Sequence, residues 1–153
     1  MSKNGERAYA LFCEGYNCAQ STFAAFCGEM GLEEKTALRL ASGLGGGVGR
    51  QREVCGAITG MTMAAGLLRG YHTPTSGPEK TETYAMVQQL CAAFREKHGS
   101  IICRELLGLD RAEGSPQASP RTPQYYHDRR CGEFCRDAAD LLADFLAQAA
   151  AQE

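Results

Sequence analysis

Apolar residues recur along this chain at three- and four-residue intervals, and almost nowhere do they alternate with period two. That spacing predicts helices rather than strands. Glu6 to Phe12 and Cys18 to Met30 each carry an apolar face, with an interruption at Gly15-Tyr16 and a stop at Gly31. Glu33 to Leu44 forms the next unit through Leu38, Leu40, Ala41 and Leu44, and an apolar helix follows from about Glu53 to Leu68. Thr73 to Pro78 reads as a turn, Glu79 to His98 as a long amphipathic helix stopped by Gly99, and Ser100 to Leu107 as a short helical segment. Asp110 to Pro123, with one glycine and three prolines near its end, reads as a surface loop, and the last helix runs from about Gln124 to Gln148. β-Branched residues are sparse. The expectation is an all-α fold: one domain over residues 1–153, built as a bundle of five or six helices.

Two glycine patterns refine this picture. Gly56, Gly60 and Ala64 fall four apart on the apolar helix, which predicts a face that lets a neighbouring helix come close. Paired glycines inside a helix cost ~1 kcal/mol each relative to alanine, so tight packing is the reason to place them there. The cluster from Gly43 to Gly49 matches neither a dinucleotide fingerprint nor a phosphate loop ending in Gly-Lys-Ser/Thr, and no strand precedes it. It reads as a sharp connection carrying residues at positive φ, passing close to whatever Cys55 faces.

Composition removes several classes. The chain has 153 residues, 44% hydrophobic and 22% charged, with a net charge of −2, which is globular and lacks the basic excess of a nucleic-acid binder. The longest apolar stretch, Val54 to Leu68, falls short of the ~20 residues that span a bilayer. The polar start, Met1 to Arg7, is unlike an export signal, so the expected location is the cytoplasm.

Against that background the eight cysteines stand out. In a reducing compartment they point to redox chemistry or metal binding more than to structural disulfides. Several sit near helix starts. Asn17 is a good N-cap for Cys18, and Ser100 places Cys103 in the third helical position. Cys55 follows the glycine turn and two arginines, and Cys131 opens the last helix if Asp128 caps it. A helix N-terminus or a nearby cation lowers a thiol pKa and so activates it. No Cys-x-x-Cys occurs, and the Cys131/Cys135 pair lies at i, i+4, where two ligands can share a metal. Arg50 and Arg52 read as exposed, with binding of an anionic substrate as the alternative. His72, His98 and His127 read as solvated, and Met61 and Met63 as core filler.

Three segments carry a resemblance: Gly15-Tyr16-Asn17-Cys18-Ala19-Gln20, Gly45-Gly46-Gly47-Val48-Gly49-Arg50 and Cys55-Gly56-Ala57-Ile58-Thr59-Gly60. Together with Cys103-Arg104-Glu105-Leu106-Leu107-Gly108 and a cysteine opening the last helix, they resemble the redox-active proteins of the C_GCAxxG_C_C family over roughly residues 7–146. The resemblance implies a helical protein marked by four cysteines, here Cys18, Cys55, Cys103 and Cys131, with Cys135 as the alternative to Cys131. Cys13, Cys27 and Cys91 fall outside the pattern.

The leading expectation is thiol–disulfide exchange through these four, as in a thiol-dependent oxidoreductase. Cys55 is then the attacking thiolate, activated by a helix start and by Arg50 or Arg52. The alternative is an electron-transfer module in which the same four hold an iron–sulfur cluster or a metal, as the resemblance to a split-Soret-type cytochrome domain implies. A third reading is a helical scaffold with buried cysteines. Expected partners are a redox partner of unspecified identity and a second copy of the chain as a homodimer, with no nucleic acid and no membrane span.

Overall fold

A computed structural model describes residues 1–74, 77–109 and 114–153. Among them the chain forms nine helices: α1 (Lys3–Cys13), α2 (Cys18–Ala24), α3 (Cys27–Met30), α4 (Glu34–Ala41), α5 (Gly56–Arg69), α6 (Pro78–His98), α7 (Cys103–Leu106), α8 (Pro123–Asp128) and α9 (Cys131–Ala151). The all-α expectation holds, and the described residues contain no strand. Six of the helices have seven residues or more and three are shorter, so the architecture is more segmented than a plain bundle. A lone antiparallel bridge pairs Val54 with Ile102. No helix among the described residues is long and apolar enough to cross a membrane.

The core is built on α9, which packs against α1, α2, α5 and α6. Phe12, Phe26, Met61, Phe94 and Leu142 are fully buried, and half of the other core positions are alanines. Met61 is core filler as expected, with Met63 packed beside it.

Small residues govern one helix pair. A Cβ on Gly56 would lie 2.8 Å from the Ala19 nitrogen, and one on Gly60 would lie 2.7 Å from the Ala19 oxygen. The paired glycines therefore let α5 rest directly on the backbone of α2, as their spacing predicts.

Two predicted helices are broken. Cys18 to Met30 divides at Ala25-Phe26 into α2 and α3. The final helix divides into α8 and α9, because Arg129 adopts an extended backbone (φ −104, ψ 127). Arg129 lies over the Tyr125 ring, and Arg130 lies over Phe134 while its Nε donates to Glu133. Apolar spacing is helical on both sides of so short a break, so periodicity does not register it. The turn expected at Thr73–Pro78 and the loop expected from Asp110 fall partly on residues 75–76 and 110–113, outside the described residues.

Candidate functional site

Four helix starts meet at one place. Cys18, Cys103 and Cys131 are the first residues of α2, α7 and α9, and Cys55 is the residue that precedes α5. All four line a single cavity of about 60 Å³, along with Gly46, Gly47, Arg52, Arg121, Tyr125 and Arg129. A space of that size holds only a few atoms.

Local rules place each cysteine. Asn17 caps α2 in a capping box, its side chain accepting from the Gln20 amide while the Gln20 side chain accepts from the Asn17 amide. The Val54–Ile102 bridge sets the next two: the Cys55 amide donates to the Ile101 carbonyl (2.8 Å) and the Cys103 amide to the Glu53 carbonyl (2.6 Å). Cys55 and Cys103 thus lie on the same face of the bridge as a diagonal pair. Diagonal neighbours sit ~7–8 Å apart, too far to join in a disulfide without backbone movement.

Two helix starts differ from expectation. The N-cap of α7 is Ile102, not Ser100; the Ser100 hydroxyl accepts from the Ile102 amide and donates to Glu105. Asp128 ends α8 rather than capping α9, whose start is set by the break at Arg129 and Arg130.

The glycine turn supplies another wall. Gly46, Gly47 and Gly49 have positive φ as expected, but so do Val48 (φ 64), Arg50 (φ 68) and Arg52 (φ 59). A β-branched residue there is a clear outlier, and such backbone costs of order 1–3 kcal/mol per residue. The turn lines the cavity that Cys55 faces, with Gly47 against Cys103, and it carries Arg52 inward.

Arg52 is a correction to the exposed arginine expected here: it is buried, and its Nη1 lies 3.7 Å from the Cys103 sulfur. It is Cys103, not Cys55, that has an arginine beside its thiol. Arg121 and Arg129 also reach the cavity, and sequence reasoning missed both. Arg121 donates to the Phe12 and Tyr16 carbonyls (2.9 and 2.8 Å) and stacks 4.3 Å from the centre of the Phe12 ring. The interleaving of Arg121, Tyr125, Tyr126 and Arg129 in the sequence was the available signal.

All eight cysteines are free thiols, with no pair at bonding distance. Burial pushes the Cys55 thiol up to about 12, against the opposing effect of the Ala57 and Ile58 backbone N–H groups. Neither Arg50 nor Arg52, expected to activate Cys55, is among the groups that shift its thiol. Burial also raises Cys103, although Arg52 works against it. The Cys18 and Cys131 thiols act most strongly on one another. Cys131 lowers Cys18, but the Cys135 thiol and burial outweigh it and leave Cys18 well above the usual range. Cys131 is pushed up by Cys18 and by burial, against Arg129 and Arg121. At neutral pH the resting site therefore holds uncharged thiols, while helix N-termini and arginines stand ready to stabilise a thiolate when one forms.

The other cysteines lie elsewhere. Cys13 is exposed, Cys27 half-buried and Cys91 buried away from the cavity. Cys135 is buried behind Cys18, with its thiol directed at the Cys18 carbonyl (3.6 Å). Among the described residues no group of three or more His, Cys, Asp or Glu side chains is placed to hold one metal ion. His72 is exposed, and His127, at the edge of a separate groove, exposes its side chain beside Asp128. His98 overturns the solvated expectation, because its side chain is buried between Phe94 and Phe134 with Nε2 3.0 Å from Asp137.

Residues 16–145 match the family described as "Putative redox-active protein (C_GCAxxG_C_C)". The chain belongs to this family. No curated protein and no solved structure matches it. The C_GCAxxG_C_C match covers all four cysteines and, apart from Phe12 in α1, every residue that lines the cavity.

Proposed function

We propose that this C_GCAxxG_C_C protein works as a dithiol–disulfide redox protein, with Cys18 and Cys131 as the reacting pair and Cys55 and Cys103 completing the site. The observation that carries the reading is the single cavity lined by all four cysteines, in which the Cys18 and Cys131 thiols are each the neighbour that shifts the other most. In the forward step one of the pair loses its proton, and the thiolate attacks a sulfur of a partner disulfide. One partner thiolate leaves and is protonated. The second cysteine then displaces the other partner thiol, so two electrons and two protons pass to the partner and a Cys18–Cys131 disulfide forms. The helix starts and arginines favour the transient thiolate, and burial shields the resting thiols from adventitious oxidation. Peptide mapping after mild oxidation tests this: a Cys18–Cys131 cross-link is expected, and its absence when thiols are consumed overturns the assignment.

A second reading is favoured by the arrangement of the four cysteines around a space rather than a point. Cys18, Cys55, Cys103 and Cys131 would then hold an iron–sulfur cluster, which supplies one-electron transfer when bound. The residues' own part would be to provide four thiolates at helix N-termini beside arginine cations, a setting suited to a net negative group. Visible absorbance and iron in anaerobically purified protein support this reading, and colourless protein with four titratable thiols in the site removes it.

A further inference from the structure

Outside the cysteine cavity lies a larger open groove of about 590 Å³, within the usual range for a small-molecule site. Arg50, Arg52, Arg121 and Arg129 all line it, and among the described residues no Asp or Glu does. The two spaces are adjacent: Asn17, Gly46, Arg52, Arg121, Tyr125 and Arg129 line both.

The arginines are held in place. Arg50 donates to the Ser119 hydroxyl at 3.0 Å. Arg121 is fixed by two carbonyls and stacks on Phe12, and Arg129 sits 5.3 Å from the centre of the Tyr125 ring. No carboxylate among the described residues lies within ion-pair distance of Arg121 or Arg129; their partners are carbonyls and rings, which leave the charge uncompensated. Guanidinium groups fixed in this way are suited to carboxylates.

The two volumes decide how a ligand sits. The inner cavity, at about 60 Å³, admits a sulfur but not a whole organic molecule, whereas the groove at about 590 Å³ takes the remainder. We infer that the groove binds the carboxylates of a small anionic disulfide and presents its S–S bond to the cysteine cavity. This rests on the dithiol reading above. The reaction consumes one disulfide and two protein thiols and yields two small thiols and one protein disulfide: the attacking cysteine sulfur bonds to one disulfide sulfur, the other leaves with the electron pair and takes a proton, and the second cysteine repeats the displacement.

The test uses the reduced full-length chain and three disulfides of similar size: dithiodiglycolate (anionic), 2-hydroxyethyl disulfide (neutral) and cystamine (cationic). Each rate is divided by the rate with the same chain in urea, which removes intrinsic reactivity. Dithiodiglycolate should exceed the neutral disulfide by about ten-fold, with cystamine slowest, and high salt should compress the series. Arg129→Gln should reduce the ratio. Adipate, which replaces the two sulfurs of dithiodiglycolate by methylenes, should slow that reaction and change tyrosine fluorescence saturably in this tryptophan-free chain. Equal normalised rates with no effect of adipate overturn the inference while leaving the dithiol reading intact. Saturable adipate binding with no oxidation by any disulfide supports the anion site and removes the dithiol reading instead.

Discussion

Gly47 approaches Cys103 so closely that a Cβ on the glycine would lie 2.8 Å from the cysteine Cβ and 2.6 Å from the Glu53 amide nitrogen. The glycine also holds φ at +68. Gly47→Ala therefore meets both a left-handed backbone penalty, about 1–2 kcal/mol, and an overlap with backbone that cannot rotate away. The substitution is expected to lower the urea midpoint and to increase alkylation of Cys103 in the folded protein. An unchanged midpoint with unchanged labelling would show that the turn is not a wall of the site.

Two glycines of α5 should respond with opposite sign. Gly60 rests on the Ala19 carbonyl, so Gly60→Ala forces α2 and α5 apart at a cost of about 1–3 kcal/mol. A Cβ at Gly66 would meet nothing within 4 Å, so Gly66→Ala should raise stability by about 0.5–1 kcal/mol through helix propensity alone. Denaturant unfolding of the two variants checks the contrast, and shifts in the same direction would contradict it.

These glycines also show how much the sequence could reveal. The four-residue spacing of Gly56 and Gly60 announced a close helix contact, and the Asn17 box announced the start of α2, because both are local patterns with local causes. The division into α8 and α9 was not legible, since the apolar spacing is helical on either side of Arg129. Arg121 was hidden for a different reason. Its place beside Cys131 depends on carbonyls at Phe12 and Tyr16, more than a hundred positions away in the chain. Cysteine burial was the third gap: a helix start argues for an activated thiol, and only the packed structure shows that desolvation outweighs it at Cys55.

Acid should weaken the fold in two stages. Burial lowers the His98 pKa, although Asp137 opposes that shift. The unfolded chain then takes up the proton first, so stability is full above ~6.5 and falls as pH drops below it. Burial raises Asp137, but hydrogen bonds from Lys97 and Arg136 outweigh it and leave the pKa lowered, so a second loss begins as pH falls below ~4. His98→Gln should flatten the first stage and leave the second. Urea midpoints measured from pH 7 to pH 3 decide this, and identical pH profiles for the two proteins would refute the role of His98.

Alkali should act through the cavity. With the Cys55 thiol pushed up to about 12, the unfolded chain releases its thiol proton first. The contribution is complete below ~8.5 and is lost as pH rises from there toward 12, at a limit of ~1.4 kcal/mol per pH unit for each such thiol. Cys55→Ala, measured under reducing conditions, should shallow this decline. A decline as steep as that of the unaltered chain would place the buried proton elsewhere.

The central claim is that Cys18 and Cys131 act as one two-electron couple. The most direct measurement is a thiol count on the native, fully reduced protein across a graded series of dithiol/disulfide redox buffers, with Cys18→Ser and Cys131→Ser alongside a Cys13→Ser control. The account predicts a reversible loss of two thiols in the unaltered chain and in the control, and no such paired loss in either site variant. An undiminished two-thiol transition in Cys18→Ser or in Cys131→Ser would contradict it.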